Sequence, residues 1–281
     1  MKTHHALFVL PALCLTAQAP DPAAKIDGST PLETLTALAT AGRADAQFVL
    51  GLRHHEGAGM PVNEAEAASW WRKGAEQKHS ACQYNLGVLI LNGRGVAKDE
   101  KAGVALVRAA AEQAYHPAEK SLGQLYEFGD GGLGKDLVEA VRWYRKAAEG
   151  GDADAQYRVG WAYQQGKGGL PKDASEAVVW FRRSAQQGFP TALLNLGLHH
   201  EEGLGTAKNA SMAFDCFSKA AEKGLASAQQ KVGYCYATGT GTSQDLVRAE
   251  YWWKKAAAQG DQVSRNNLEQ LKAMKAAKAR R

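Results

Sequence analysis

Cysteine is scarce in this chain: four in 281 residues, at Cys14, Cys82, Cys216 and Cys235. So few exclude a disulfide-stapled scaffold, and none stand in the Cys-x-x-Cys spacing of a structural zinc site. Long apolar runs are missing as well. The apolar stretch Ala6 to Leu15 is ten residues, half of the roughly 20 that a membrane-spanning helix needs, so no membrane span is expected. A basic surface is also lacking. Of the net charge of +5, one unit comes from Lys2 and five from Lys272, Lys275, Lys278, Arg280 and Arg281, which leaves the body of the chain at −1. Nucleic acid is therefore not an expected partner. Catalytic signatures are absent in the same way. No serine or threonine has lysine three residues on, and there is no Lys-Thr-Gly and no His-Glu-x-x-His. The glycine pairs at 131–132 and 168–169 lack the Lys-Ser/Thr that completes a phosphate-binding loop. No catalytic residue, metal or cofactor is expected.

What is abundant is glycine in register. Gly51, Gly87, Gly123, Gly160, Gly197 and Gly233 follow one another at 36 or 37 residues, each preceded by Leu or Val. Six residues after each comes a second glycine: Gly57, Gly93, Gly129, Gly166, Gly203 and Gly239. Self-similarity at this period belongs to solenoids, in which each unit buries its apolar face only against its neighbours.

Each unit divides into two helices. In Ala153 to Gln165, the apolar Ala155, Val159 and Tyr163 stand four apart on one helical stripe. Gly166 ends that helix, because glycine reaches the left-handed conformation at a C-terminus without steric cost. A glycine-rich linker follows, in which Gly168 is expected to be open to solvent. Asp173 then offers an oxygen to the free N–H groups of the next helix, and Asn63, Asp99, Asp136, Asn209 and Asp245 recur in that place. The framing glycine lies inside the first helix, where it costs about 1 kcal/mol against alanine. Its recurrence implies a close helix–helix contact, shared with Ala67, Gly103, Ala140, Ala177, Ala213 and Ala249. Aromatic pairs such as Trp143-Tyr144 and Trp180-Phe181 fill the remaining space. Cys216-Phe217 and Leu106-Val107 depart from that rule, and the latter predicts looser packing.

The pattern Ala-x-x-x-Leu-Gly-x-x-Tyr-x-x-Gly-x-Gly, then Asp, then Ala-x-x-Trp-Tyr-x-Lys-Ala-Ala-Glu-x-Gly resembles the Sel-one-like repeat, a relative of the tetratricopeptide repeat. The resemblance covers about residues 44–260 and is most complete at 155–188 and 228–260. It implies an all-α, right-handed α-solenoid of about six helix-turn-helix repeats. Residues 20–43 are then a linker and an N-terminal capping helix, and 261–281 a polar closing helix with a basic tail. Residues 1–19 have the form of a secretory signal: Lys2, the apolar run, and small-x-small Ala17-Gln18-Ala19. A periplasmic or secreted location is expected from that segment, with a mature N-terminus within 18–24.

Two histidine clusters, His54-His55-Glu56 and His199-His200-Glu201-Glu202, carry metal-ligand chemistry but lie four repeats apart. His54 and His200 occupy a position held elsewhere by Ile90, Tyr126, Tyr163 and Tyr236, so they read as packing or surface histidines with ordinary partners. Cys216 and Cys235 flank the turn at Gly224, and cysteine-rich relatives bridge their helices. A disulfide between them and two small buried thiols both remain open.

By analogy to tetratricopeptide arrays, the first helices line a concave face. The positions two before and one after the framing glycine supply Asn85, Arg158, Trp161, Asn195, Lys231 and Tyr234 to it. Amides suit peptide backbone, cations suit carboxylates, and rings suit apolar side chains. The expected function is a non-enzymatic scaffold that holds a protein or peptide partner in this groove. The alternative, carried by the resemblance alone, is a cell-wall-ligand-binding or β-lactamase-like member, since some cysteine-rich relatives have been linked to penicillin binding.

Overall fold

The computed structural model describes residues 25–279. The signal expected at 1–19, with Cys14, lies outside the described residues, as do Arg280 and Arg281 of the tail. Among the described residues there are fourteen helices and no strand. They are α1 (Leu32–Thr40), α2 (Ala44–Glu56), α3 (Glu64–Glu76), α4 (Ser80–Asn92), α5 (Glu100–Ala111), α6 (His116–Phe128) and α7 (Leu137–Glu149). The second half comprises α8 (Ala153–Gln165), α9 (Ala174–Gln186), α10 (Pro190–Glu202), α11 (Ala210–Glu222), α12 (Ala226–Thr238), α13 (Leu246–Ala258) and α14 (Gln262–Ala279). Even-numbered helices from α2 to α12 are the first helices of six repeats, and odd-numbered ones from α3 to α13 the second. Each packs chiefly on its neighbours in the chain, so the molecule is an all-α solenoid. No helix among the described residues is long and apolar enough to cross a membrane.

Local chemistry sets every joint. All six Asp or Asn caps accept a hydrogen bond from the first turn of a second helix, as Asp173 does from Ser175 and Glu176 at 2.9 and 3.0 Å. The cap's own N–H reaches back to the first helix, for instance Asp173 to the Tyr163 carbonyl at 2.9 Å and Asn209 to that of His200 at 2.8 Å. The turn is thus held at both ends.

After the second helix the chain turns through a left-handed residue. Glycine takes that place in four repeats, but Lys78 (φ 61°) and Ala114 (φ 59°) take it in two, the only non-glycine residues with positive φ among those described. A side chain in this region costs roughly 1–2 kcal/mol, partly offset by glycine's extra unfolded-state freedom. Ala114→Gly is therefore expected to stabilise the protein by about 0.5–1 kcal/mol, measured as a raised urea midpoint at unchanged slope. A lowered midpoint would show that the turn is unstrained.

The framing glycines explain the close contact. A Cβ added at Gly160 would lie 2.8 Å from the Phe181 ring and 3.3 Å from the Ala177 carbonyl oxygen. Tyr144, Phe217, Trp71 and Trp253 stand against Gly123, Gly197, Gly51 and Gly233 in the same way. The second aromatic of each pair thus fills its own repeat. The first aromatic reaches back to the preceding one: Trp143 of α7 packs with Val107 and Ala110 of α5 and Leu122 of α6. Repeat two replaces the second aromatic by Val107 and the facing alanine by Gly103, whose backbone oxygen lies 2.9 Å from a Cβ built on Gly87.

One expectation needs correction, and one reading left open is decided. Gly168 is not open to solvent: a Cβ there would lie 2.3 Å from Val141 Cγ2 and 2.9 Å from the Leu137 carbonyl oxygen of α7. The linker glycine packs on the preceding repeat's second helix. Cys216 and Cys235 are free thiols, buried in separate clusters, so the considered disulfide is not formed. Burial pushes both thiols up to about 11, which keeps them protonated and poorly nucleophilic at neutral pH.

A further contact repeats through the stack. Buried Gln47, Gln83, Gln156 and Gln229 of first helices each accept a hydrogen bond from Gln77, Gln113, Gln187 and Gln259 after the second helix, at 2.8, 2.6, 2.9 and 2.9 Å. Each ties the two ends of one repeat while satisfying a buried amide.

Candidate interaction surface

The first helices present two recesses. The larger, about 610 Å³, runs between α4 and α6 with Val107 at its base. Its walls combine apolar Val88, Leu91 and Leu125 with polar Tyr84, Asn92, Ser121 and Gln124. Tyr84 and Ser121 bridge the two helices through their hydroxyls at 3.0 Å. Phe128 lies at the rim, 52% exposed. This recess exists because Val107 stands where the other five repeats place a ring against the framing glycine. The looseness expected at Leu106-Val107 thus lies on the first-helix side of the repeat.

The smaller recess, about 190 Å³, brings Arg158 and Trp161 together with Glu127, Tyr144 and Tyr157. Arg158 is not a free cation. Its guanidinium binds Glu127 of the preceding first helix at 2.5 Å and Asp154 of its own at 3.1 Å, and it lies 5.0 Å from the Tyr144 ring centre. Burial opposes the charge, but Tyr144, Asp154 and Glu127 outweigh it and hold Arg158 above the ordinary guanidinium value. Burial and the 2.5 Å hydrogen bond to Glu127 push the Tyr144 hydroxyl well above the usual phenol range. Trp161 is half-buried, with Lys167 5.3 Å from its ring centre.

The other anticipated residues lie apart from these recesses. Lys231 pairs with Glu201 at 2.6 Å, repeating the Arg158–Glu127 link one pair of repeats later. Asn85 and Asn195 each donate to a carbonyl one turn back in their own helix, Ala81 and Thr191, at 2.8 Å. Their amide oxygens stay available as acceptors. Tyr234 is 46% exposed. Sequence reasoning missed Tyr84, Asn92 and Phe128. Their signal was the small Val107 in the aromatic register, which opens the space they surround.

No group of three or more His, Cys, Asp or Glu side chains is arranged to hold a metal among the described residues. His199 is hydrogen-bonded to the Leu204 carbonyl at 2.8 Å and approaches Gln164 at 3.3 Å. His200 differs from expectation: it is buried, and neither ring nitrogen has a partner.

The Sel1 repeat model matches residues 44–79, 80–115, 116–152, 153–189, 190–225 and 226–261. Among solved structures, a protective antigen present in uropathogenic Escherichia coli strains and displaying an SLR fold is 32% identical, with a TM-score of 0.80 over 87% of this chain and 52% of that one. A Sel1 repeat protein from Oxalobacter formigenes is 30% identical, with a TM-score of 0.72 over 85% of this chain and 69% of that one. The chain thus spans about half the length of the first of these proteins. Among curated proteins, none matches it at a significant level.

Proposed function

The chain belongs to the Sel1 repeat family, and we propose on that footing that it is a non-enzymatic scaffold holding an extended peptide segment of a partner along its first-helix face. Sel1 repeat proteins generally mediate protein–protein interaction, and the fold is typically non-catalytic. The observation that carries the finer reading is the recess between α4 and α6. Amide and hydroxyl groups at Asn92, Gln124, Ser121 and Tyr84 alternate there with apolar walls and the exposed Phe128 ring. That mixture suits a peptide, whose backbone needs hydrogen-bonding groups and whose side chains need apolar seats. The signal-like residues 1–19 support a periplasmic or secreted location, which intact-mass measurement of exported material tests; a retained Met1 would remove it.

The groove is tested by selecting peptides from a random library on the full chain. Gln124→Ala combined with Phe128→Ala is expected to weaken the selected peptides at least tenfold while moving the melting temperature little. Arg72→Ala on the second helix α3 serves as control. Arg158→Ala is a poor probe, because losing its pairs with Glu127 and Asp154 disturbs the stack itself. Unaltered binding by the Gln124/Phe128 double variant overturns the groove assignment. A covalent adduct with a penicillin would favour the β-lactamase-like alternative instead.

A further inference from the structure

Repeat five, α10 with α11, departs from the commonest residue of the repeat at four places that all line one cavity. Leu193 stands where four repeats have the laddered glutamine, and Lys223 where its glutamine partner belongs. His200 replaces the tyrosine found at Tyr126, Tyr163 and Tyr236, and Cys216 replaces the tryptophan found at Trp70, Trp143, Trp180 and Trp252. All four line a recess of about 690 Å³ between α9 and α11, on the face opposite the proposed peptide groove. An indole and a phenol are missing from this place in the stack.

The polar groups left behind lack partners. In the neighbouring repeats a second-helix arginine donates to the tyrosine hydroxyl: Arg108 to Tyr126 at 2.8 Å and Arg145 to Tyr163 at 2.5 Å. Arg182 holds the same register, also lines the recess, and has no hydrogen bond or ion pair. His200 is only 3% exposed, with Nδ1 and Nε2 both unpartnered. A buried imidazole in this state is left desolvated with no compensating hydrogen bond, which favours a ligand that supplies one. The charges that line it are mixed: Lys219 is paired with Asp215 at 2.7 Å, and Glu222, Lys223 and Arg182 also lie on its walls. A strongly charged ligand is therefore not favoured. A neutral hydroxyl on an aromatic ring fits best, since it can accept from Arg182 and donate to His200 while the ring lies on Leu193, Leu196 and Cys216.

We propose that this recess binds a phenol, either a tyrosine side chain of a partner or a free small phenolic compound. The proposal is independent of the peptide groove, which shares no residue with it.

Titrating the full chain with p-cresol to about 10 mM, a ceiling suited to a weak fragment, and following the His200 ring and the Leu193 and Leu196 methyl signals by NMR, tests it. Saturable shifts at these residues are expected, with toluene binding at least tenfold more weakly. Arg182→Met and His200→Leu should each weaken p-cresol at least fivefold and leave toluene unchanged. Cys216→Trp, which restores the neighbouring repeats' tryptophan, should abolish binding and raise the melting temperature. N-acetyl-tyrosinamide distinguishes the sources: binding equal to p-cresol points to a tyrosine side chain, and its exclusion to a free phenol. No shift at these residues, equal binding of toluene, or undiminished p-cresol binding in both the Arg182 and His200 variants overturns the proposal.

Discussion

Phe181→Ala should destabilise the protein by about 3–5 kcal/mol, the usual cost of removing a large buried ring. The side chain is fully buried, lies against Gly160, and has the rings of Tyr157 and His199 at 5.8 and 5.5 Å. Glycine at 160 cannot move in to fill the space, because helix α8 is already held by Ala177 and by the caps at either end. Position adds to the cost. Phe181 lies in the middle of the array, and nearest-neighbour stacking means that a weakened central interface lets the two ends unfold separately. Urea unfolding should therefore shift to lower midpoint and broaden or split. A single transition shifted by less than about 1 kcal/mol would show that neighbouring rings re-pack into the gap.

Most of the helix pair was readable because its signals are local. A cap and the turn it bonds are two or three residues apart, so Asp173 announces α9 without knowledge of anything else. The same holds for Gly166 at the end of α8. The partners of the candidate residues are about thirty residues away, and those pairings were not legible. Arg158 and Lys231 read as cations suited to a partner's carboxylates, yet Glu127 and Glu201, each four residues past a framing glycine, pair with them across the repeat boundary. The glutamine ladder escaped for the same reason: Gln156 and Gln187 are 31 residues apart and occupy positions outside the named motif. Cys216 was weighed as half of a disulfide, because a lone departure invites an explanation in terms of its own chemistry. Set beside Leu193, His200 and Lys223 in the same repeat, it is one of four changes around a single space.

The linker glycines give the last expected result. Gly168→Leu should destabilise at least as much as Gly160→Leu, each by roughly 1–3 kcal/mol or more from overpacking. At Gly160 the added side chain meets the Phe181 ring, which can tilt, and the helix backbone itself is unstrained. At Gly168 it meets Val141 Cγ2 at 2.3 Å and the Leu137 carbonyl oxygen at 2.9 Å, and the backbone has φ +63°. Left-handed backbone adds about 1–2 kcal/mol for a residue with a Cβ. A helix carbonyl yields less readily than a ring. The same glycine in other repeats is tighter still, with the Ala174 and Ala210 backbones 2.2 and 2.1 Å from Cβ atoms built at Gly205 and Gly241. This contact is what fixes the linkers of repeats two to six to the repeat before; Gly59, in the first repeat, has no atom within 4 Å of its Cβ position. Gly134→Ala is the control, since no atom lies within 4 Å of its Cβ position and its φ is not positive, so a change within about 0.5 kcal/mol is expected. If Gly168→Leu melts like the control while Gly160→Leu does not, the linker moves freely of α7, and the repeats are joined by their helices alone.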